Sequence, residues 1–214
     1  EPGPPRHMEQ GSVLSIDGCR MSLAAMLKRA LGTETAHEDE AEFGAPEGGY
    51  REAAVLVPVT RREEPGVILT ERPKWLRSHA GQVAFPGGKL EPEDGGDPIV
   101  AALREAEEEL AIPARQVDVI GTTPAYHSGS GFRIVPVIGL VPPDLDLVPC
   151  PDEVADWFEV PLAWLLDPAN AERKTGIWRG VPRTYYDMDW QGRRIWGVTA
   201  AICWNLSRRI AWFD

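Results

Sequence analysis

The chain has 214 residues, of which 43% are hydrophobic and 26% charged, and its formal net charge is −11 at pH 7. This length is enough to bury a substantial core, and the composition is ordinary for a globular protein. The negative charge argues against a nucleic-acid partner, and no apolar run approaches the ~18–20 residues that cross a membrane. We therefore expect a protein that acts on a small molecule.

The cysteines indicate a reducing compartment. Cys19, Cys150 and Cys203 are widely spaced and odd in number, so they match neither a disulfide framework nor a zinc site. Reduced thiols are typical of cytoplasmic proteins, and the sequence shows no secretory signal. We expect a cytoplasmic location. The sequence leaves open whether the protein forms a homodimer.

The hydrophobic pattern predicts one α/β domain. Residues 1–20 are rich in Pro, Gly and polar side chains and are expected to form a flexible tail, followed by a single domain over 21–214 with its core at about 50–210. Strands are predicted at 53–59, 66–70, 82–85, 117–124, 134–141, 157–160 and 183–190, and helices at 21–31, from Pro98 to Pro113 and at 197–210, with a helical turn at 161–166. Because strands and helices are intermixed without a repeat, we expect a mixed sheet covered by helices.

The predicted helix after Pro98 carries two separate faces. At ~100° per residue, Glu108 lies near −60° and Glu109 near +40° relative to Glu105. The apolar residues collect between roughly 100° and 160°, and they are Ile99, Leu103, Ala106 and Leu110. The helix thus has a stripe for the core and a distinct arc of three carboxylates.

The carboxylate arc has two interpretations. A run of acidic residues is often a solvated face, and like charges three or four residues apart cost a few tenths of a kcal/mol per pair. A divalent cation would turn that cost into a gain, and oxygen ligands suit Mg²⁺ or Mn²⁺ better than zinc. The Gly87-Gly88 turn, close before the helix, favours a site, because glycine lets the backbone approach a metal or phosphate closely.

Two stretches together resemble a known family. The segment from Leu69 to Lys89 is followed by Arg104-Glu105-Ala106-Glu107-Glu108-Glu109. The second stretch resembles the box of the Nudix hydrolases. The first is similar to the pattern of their coenzyme A pyrophosphatase branch, which it matches at Arg72, Arg77, Gly81, Phe85, Pro86, Gly87 and Gly88. The later segment 194–200 also resembles this branch, so the likeness covers roughly residues 50–210.

The chain departs from the family pattern at a few positions. The interval from Gly88 to Arg104 is two residues longer than in the general box, and Asp94 stands where the first glutamate of the box would be. Ala111 replaces the glycine of the box, and Pro73 replaces the serine of the branch pattern. The longer interval and Ala111 lie outside the carboxylate arc, whereas Pro73 lies within the substrate pattern.

The resemblance implies a fold and a metal site. It implies the Nudix α/β/α sandwich with a mixed central sheet, and Mg²⁺ or Mn²⁺ held by Glu105, Glu108 and Glu109 with help from the carbonyl of Gly87 or Gly88. Two divalent ions can offset the charge of a diphosphate and activate a water. The general base is left open between Glu153, one of the box glutamates and, ranked lower, His127.

The resemblance also implies a substrate. Coenzyme A would be cut at its pyrophosphate to 3′,5′-ADP and 4′-phosphopantetheine. A basic cluster would contact the phosphates, with Arg72 and Arg77 foremost, and it comprises Arg72, Lys74, Arg77 and His79. These cations could instead pair with the acidic helix. Two alternatives stay open: hydrolysis of another nucleoside diphosphate derivative such as ADP-ribose, and a nucleotide sensor without catalysis.

Overall fold

The computed structural model describes residues 13–16, 19–32, 46–178 and 180–210. The strands are β1 (Val13–Ile16), β2 (Cys19–Ser22), β3 (Arg51–Thr60), β4 (Gly66–Glu71), β5 (Val83–Ala84), β6 (Gly87–Lys89), β7 (Asp118–Thr122), β8 (Tyr126–His127), β9 (Phe132–Val141), β10 (Asp156–Pro161), β11 (Glu172–Trp178), β12 (Val181–Trp190) and β13 (Arg193–Trp196). The helices are α1 (Leu23–Leu31), α2 (Pro98–Leu110), α3 (Leu162–Leu165) and α4 (Val198–Arg209).

The central sheet is mixed, as the sequence predicts. Its strand order is β10-β4-β3-β9-β7, and the short strands β5, β6 and β8 extend it by pairing with β4, β3 and β9. Strands β3 and β9 run parallel over ten residue pairs, from Arg51↔Phe132 to Thr60↔Val141. The other pairings in this sheet are antiparallel. Parallel neighbours in the middle of a sheet require helices on both faces.

Alternating side chains of β3 supply the two cores. Ala54 and Leu56 point to one face, where α2 packs. Val57 and Val59 belong to the core on the other face, which α1, α3 and α4 cover. Because successive strand residues point to opposite faces, this apolar run can serve both layers at once. The arrangement is an α/β/α sandwich, and the predicted fold class is confirmed.

The predicted helix starts and stops are also found. The Ser22 hydroxyl accepts a hydrogen bond from the Ala25 N–H at 3.2 Å and caps α1. The Asp97 carboxylate accepts from the Ile99 N–H at 2.8 Å and caps α2, with Pro98 in the first turn. Helix α2 ends at Leu110, and Ala111 takes a left-handed conformation with φ 55°. Side-chain caps satisfy N–H groups that a helix start leaves without partners.

Some elements differ from the prediction. Strands β11, β12 and β13 form a separate antiparallel sheet, whereas only 183–190 was predicted as a strand there. The charged start of β11, Glu172-Arg173-Lys174, hides its strand character from a pattern based on apolar residues. Strands β1 and β2 form a hairpin within and just beyond residues 1–20; the rest of that segment lies outside the described residues, and the flexible tail stays a prediction. Among the described helices, none is long and apolar enough to cross a membrane.

Candidate metal centre and substrate site

Three carboxylates converge beside the Gly87-Gly88 turn. Glu105 and Glu109 lie one turn apart on α2, and Glu153 comes from the loop before β10. One oxygen from each of the three carboxylates lies within 4.8 Å of the others. Glu109 is only 3% exposed. Three acidic groups at such close range repel one another, so the cluster is suited to a cation.

Backbone hydrogen bonds fix Glu153 beside the helix. The Cys150 N–H donates to the Glu109 carbonyl at 2.8 Å, which ties the loop to the end of α2. The Glu153 N–H donates to the Cys150 carbonyl at 3.0 Å and closes a turn. The Ala155 N–H then donates to the Glu71 carbonyl at 2.8 Å, where β10 begins to pair with β4. Glu153 therefore sits on a short turn anchored at both ends.

The electrostatics of the cluster favour a bound cation. Burial raises the pKa of Glu109 to about 8, and the nearby charges of Glu105 and Glu153 add to this rise. The Arg72 charge and the Gly87 N–H act in the opposite direction on the pKa of Glu109, without cancelling the rise. Burial also raises the pKa of Glu105. Strongly shifted pKa values of this kind cluster at functional sites.

The donor set fits Mg²⁺ or Mn²⁺. The buried Oε2 of Glu109 has no hydrogen-bond partner among the described residues, although buried polar atoms in proteins almost always have one. The ligand atoms that converge in this cluster are carboxylate oxygens, and hard divalent cations prefer such ligands. Glu105, Glu109 and Glu153 would therefore hold such an ion.

Gly87 and Gly88 are needed for close packing, because neither position has room for a side chain. A Cβ atom at Gly88 would overlap the Glu105 carboxylate, and one at Gly87 would overlap the Ala54 carbonyl on β3. The two glycines begin strand β6, which pairs with β3 in the central sheet, and their backbone lies against the carboxylate cluster. This explains in physical terms why a Gly-Gly pair precedes the acidic helix.

Arg104 of α2 binds both the Asp94 carboxylate and the carbonyl of Lys89 at the end of β6. Its Nε and Nη2 donate to the two Asp94 carboxylate oxygens at 3.0 and 3.1 Å, and Nη2 also donates to the Lys89 carbonyl at 3.1 Å. Asp94 is 3% exposed, and the hydrogen bond from Arg104 holds the pKa of its carboxyl below the ordinary value. A two-pronged arginine–carboxylate pair fixes geometry as well as charge.

Glu108 lies apart from the three-carboxylate cluster. Its side chain is 56% exposed, and its carboxylate accepts a hydrogen bond from Arg104 Nη1 at 2.9 Å. Arg104 thus forms an ion pair with a residue one turn along the helix. The assignment of Glu108 and of Gly88 as metal ligands stays a prediction.

Among the predicted basic residues, Arg72 is the one whose charge acts on a carboxylate of the cluster. Arg72 directly follows β4, and its charge lowers the pKa of Glu109. Its Nε is buried without a hydrogen-bond partner among the described residues. Lys74, Arg77 and His79 are exposed in the loop that follows, and His79 Nδ1 lies 2.8 Å from Gln82 Oε1.

His127 is built into a different environment. Its ring packs against that of Tyr50 with the centroids 4.7 Å apart, and it belongs to β8 at the end of β9. Glu153, the other predicted general base, lies within the carboxylate cluster. Of the two predicted candidates, Glu153 thus lies beside Glu105 and Glu109, whereas His127 packs on Tyr50.

The fold and the carboxylate cluster define an α/β/α domain whose converging carboxylates offer oxygen ligands to a metal ion. A family model described as the NUDIX domain matches residues 50–178. The uncharacterized Nudix hydrolase NudL of Cronobacter sakazakii is 46% identical over 168 residues, which covers 75% of this chain and 83% of the relative. The chain therefore belongs to the Nudix family, whose hydrolases cleave nucleoside diphosphate derivatives and generally use Mg²⁺ or Mn²⁺.

Two further comparisons accompany this assignment. The uncharacterized Nudix hydrolase NudL of Escherichia coli K12 is 44% identical over 161 residues, again covering 75% of this chain and 83% of the relative. The solved structure of the Nudix hydrolase RenU from M. smegmatis is 26% identical, with a TM-score of 0.46, over 55% of this chain and 78% of that one. The family assignment rests on the family model and the two NudL relatives.

Sequence reasoning missed Arg193. Its guanidinium forms ion pairs with Glu71 at 3.2 Å and Asp156 at 2.6 Å, and its Cζ lies 4.3 Å from the centre of the Phe158 ring. The three partners are far from Arg193 in sequence, so no local pattern reveals the contact. Glu71 immediately precedes Arg72, and Asp156 follows the Glu153 turn.

Proposed function

We propose that the protein hydrolyses the pyrophosphate of coenzyme A, or of its derivatives, to 3′,5′-ADP and 4′-phosphopantetheine. The observation that carries this proposal is the position of Arg72. It is the first arginine of the segment that resembles the coenzyme A branch, and its charge acts on Glu109 of the carboxylate cluster. A substrate diphosphate held at the cluster would lie within the field of this arginine.

Acidic residues would bind the metal ion, and Arg72 would bind the substrate phosphate. Glu105, Glu108, Glu109 and Glu153 would hold Mg²⁺ or Mn²⁺, which supplies charge neutralisation and an activated water when bound. Glu108 enters as a ligand if its exposed side chain exchanges Arg104 for the cation. The Gly87-Gly88 backbone lies against the cluster, where a side chain at Gly88 would collide with the Glu105 carboxylate. Arg72 can clasp a phosphate oxygen with its fork of donors.

Water attack needs a group that accepts a proton. In the reaction one water adds to a phosphorus, the bridging P–O bond breaks, and the leaving phosphate carries away the electron pair. Glu153 is proposed as the general base, because it reaches the cluster from a turn that is not part of α2. One of its carboxylate oxygens would face the cation, and the other would accept the proton of the water. The exposed Lys74, Arg77 and His79 would contact the remaining phosphates of the substrate.

Product analysis of coenzyme A with Mg²⁺ or Mn²⁺ tests the proposal. We expect 3′,5′-ADP from the parent protein and a loss of at least ~100-fold in rate for Glu109→Gln. Glu107→Gln is the matched control, since it makes the same charge change on the exposed side of the same helix. Retained activity in Glu109→Gln would contradict the role of the cluster.

A substrate panel separates the alternatives. Cleavage of ADP-ribose or another nucleotide in place of coenzyme A would keep the metal centre and reject the proposed substrate. Binding of coenzyme A without turnover in either metal would favour a nucleotide sensor. Arg72→Gln should raise KM for coenzyme A more than Arg115→Gln, a control outside the site.

A further inference from the structure

We infer that Arg193 is a positioning residue that holds the two segments delivering Arg72 and Glu153 to the site. This inference rests on the proposed function in taking these two residues as parts of the site. The C-terminal sheet, to which Arg193 belongs, would then set the geometry of the metal centre from the opposite face of the central sheet.

The need for a cation follows from the strand register. Glu71 of β4 and Asp156 of β10 are direct partners in the antiparallel pairing. Directly opposite residues point to the same face, and like charges at such a pair are destabilising. Arg193 reaches both carboxylates from β13 and relieves this repulsion. Packing on Phe158, which lies on the same face two residues after Asp156, restricts the arginine to this position.

Glu71 and Asp156, which Arg193 holds together, are close in sequence to Arg72 and Glu153 of the site. The Glu71 carbonyl accepts the hydrogen bond from Ala155 N–H that closes the Glu153 turn. Because strand residues alternate between faces, Arg72 points away from Glu71, toward the face where α2 and Glu109 lie. Separation of Glu71 from Asp156 would therefore move Arg72 and Glu153 together.

A role of Arg193 through its charge and a role through positioning predict opposite effects on metal binding, so the inference can be tested. Arg193→Met removes a positive charge near the site, and by Coulomb attraction it should tighten the binding of a cation. If Arg193 acts by positioning, the same variant should weaken binding, because Glu153 leaves the cluster. The triple variant Arg193→Met/Glu71→Gln/Asp156→Asn carries no repelling pair and should restore the geometry.

Titration of the protein with Mn²⁺, followed by electron paramagnetic resonance, gives the readout. We expect Arg193→Met to lower the affinity by about fivefold and the triple variant to return to within about twofold of the parent. Arg61→Met is the matched control, since it breaks an exposed ion pair with Asp118 that is remote from the site. Unchanged or tighter binding by Arg193→Met, or a triple variant no better than Arg193→Met, would overturn the inference.

A second variant keeps the test decisive if Arg193→Met does not fold. Arg193→Lys keeps the charge but not the two-pronged geometry, and we expect an affinity loss of about two- to threefold. Parent-like affinity in Arg193→Lys would overturn the inference if Arg193→Met does not fold. Because Mn²⁺ binding is measured without substrate, failure to cleave coenzyme A would reject the proposed function without deciding the role of Arg193.

Discussion

Gly88 lies against the Glu105 carboxylate so closely that a single methyl group would displace it. The contact joins the turn that precedes α2 to a carboxylate of the cluster. Gly88 therefore limits the position of the Glu105 carboxylate, which also accepts a hydrogen bond from Arg104 Nη1 at 3.1 Å.

The first prediction concerns this contact. Gly88→Ala should push Glu105 out of the cluster and weaken Mn²⁺ binding by about tenfold or more, as loss of a well-placed supporting contact does at metal sites. Calorimetric titration with Mn²⁺ measures the change. Gly32→Ala is the control, because a Cβ atom there meets only ordinary contacts. Equal Mn²⁺ affinity in Gly88→Ala and the parent would contradict the packing argument.

The second prediction concerns the stability supplied by Asp94. Asp94→Asn leaves Arg104 without its two-pronged partner and should lower the free energy of unfolding by about 3 kcal/mol. Urea unfolding at pH 7 measures this loss. Asp118→Asn breaks the exposed pair with Arg61 and should cost less than about 1 kcal/mol.

The acid dependence of stability follows from the same carboxylate. The pKa of Asp94 is lowered in the folded protein, so its contribution is present above its unfolded pKa and is lost as the pH falls through the folded value. The parent should therefore lose more stability than Asp94→Asn on acidification below pH ~4. Parallel acid profiles for the two proteins would refute the link.

The third prediction is a pH dependence of metal binding. The pKa of Glu109 is raised to about 8, so cation binding near neutral pH must displace a proton. Mn²⁺ affinity should rise by up to about tenfold per pH unit below pH 8 and level off above it. A calorimetric titration at several pH values measures both the affinity and the proton released.

The same shift has a consequence for the metal-free protein. A carboxyl whose folded pKa is raised stabilises the fold at low pH, and that contribution is lost as the pH rises through about 8. Glu109→Gln should remove this loss of stability, which falls between pH ~4.5 and ~8. An unchanged pH profile in Glu109→Gln would assign the titration to another group.

The fourth prediction concerns the end of α2. Ala111 has φ 55° and lies exposed, a conformation that costs an L-residue about 1 kcal/mol or more and glycine little. Ala111→Gly should raise the free energy of unfolding by about 0.5–1 kcal/mol. Thermal unfolding measures the gain, and a loss of stability would show that the left-handed turn is not strained.

The central layers could be predicted from sequence because their signals are local. Apolar runs specify β3, β4 and β9, and Asp97 and Pro98 mark the start of α2. The helical angles also separate Glu109 from Glu108, since Glu109 lies roughly 60° from Ala106 and Glu108 roughly 160°. The residue nearer the apolar stripe is the buried one, with 3% exposure.

The contacts of the site depend on tertiary structure and are invisible to such patterns. The angles alone do not show that Arg104 engages Glu108 while Glu153 joins Glu105 and Glu109. The ion pairs of Arg193 with Glu71 and Asp156 require the register between β4 and β10 and the packing of a separate sheet against them. Charge pairs between distant segments carry no periodic signal.

The parallel pairing of β3 with β9 also determines when the metal centre can form during folding. It joins residues about 80 positions apart, and contacts of such long range form slowly because a large loop must first close. Helix α2 lies inside that loop, whereas Glu153 lies beyond it. The acidic helix is a local element, but its carboxylates acquire their third partner only when β10 pairs with β4 and brings the Glu153 turn to the end of α2.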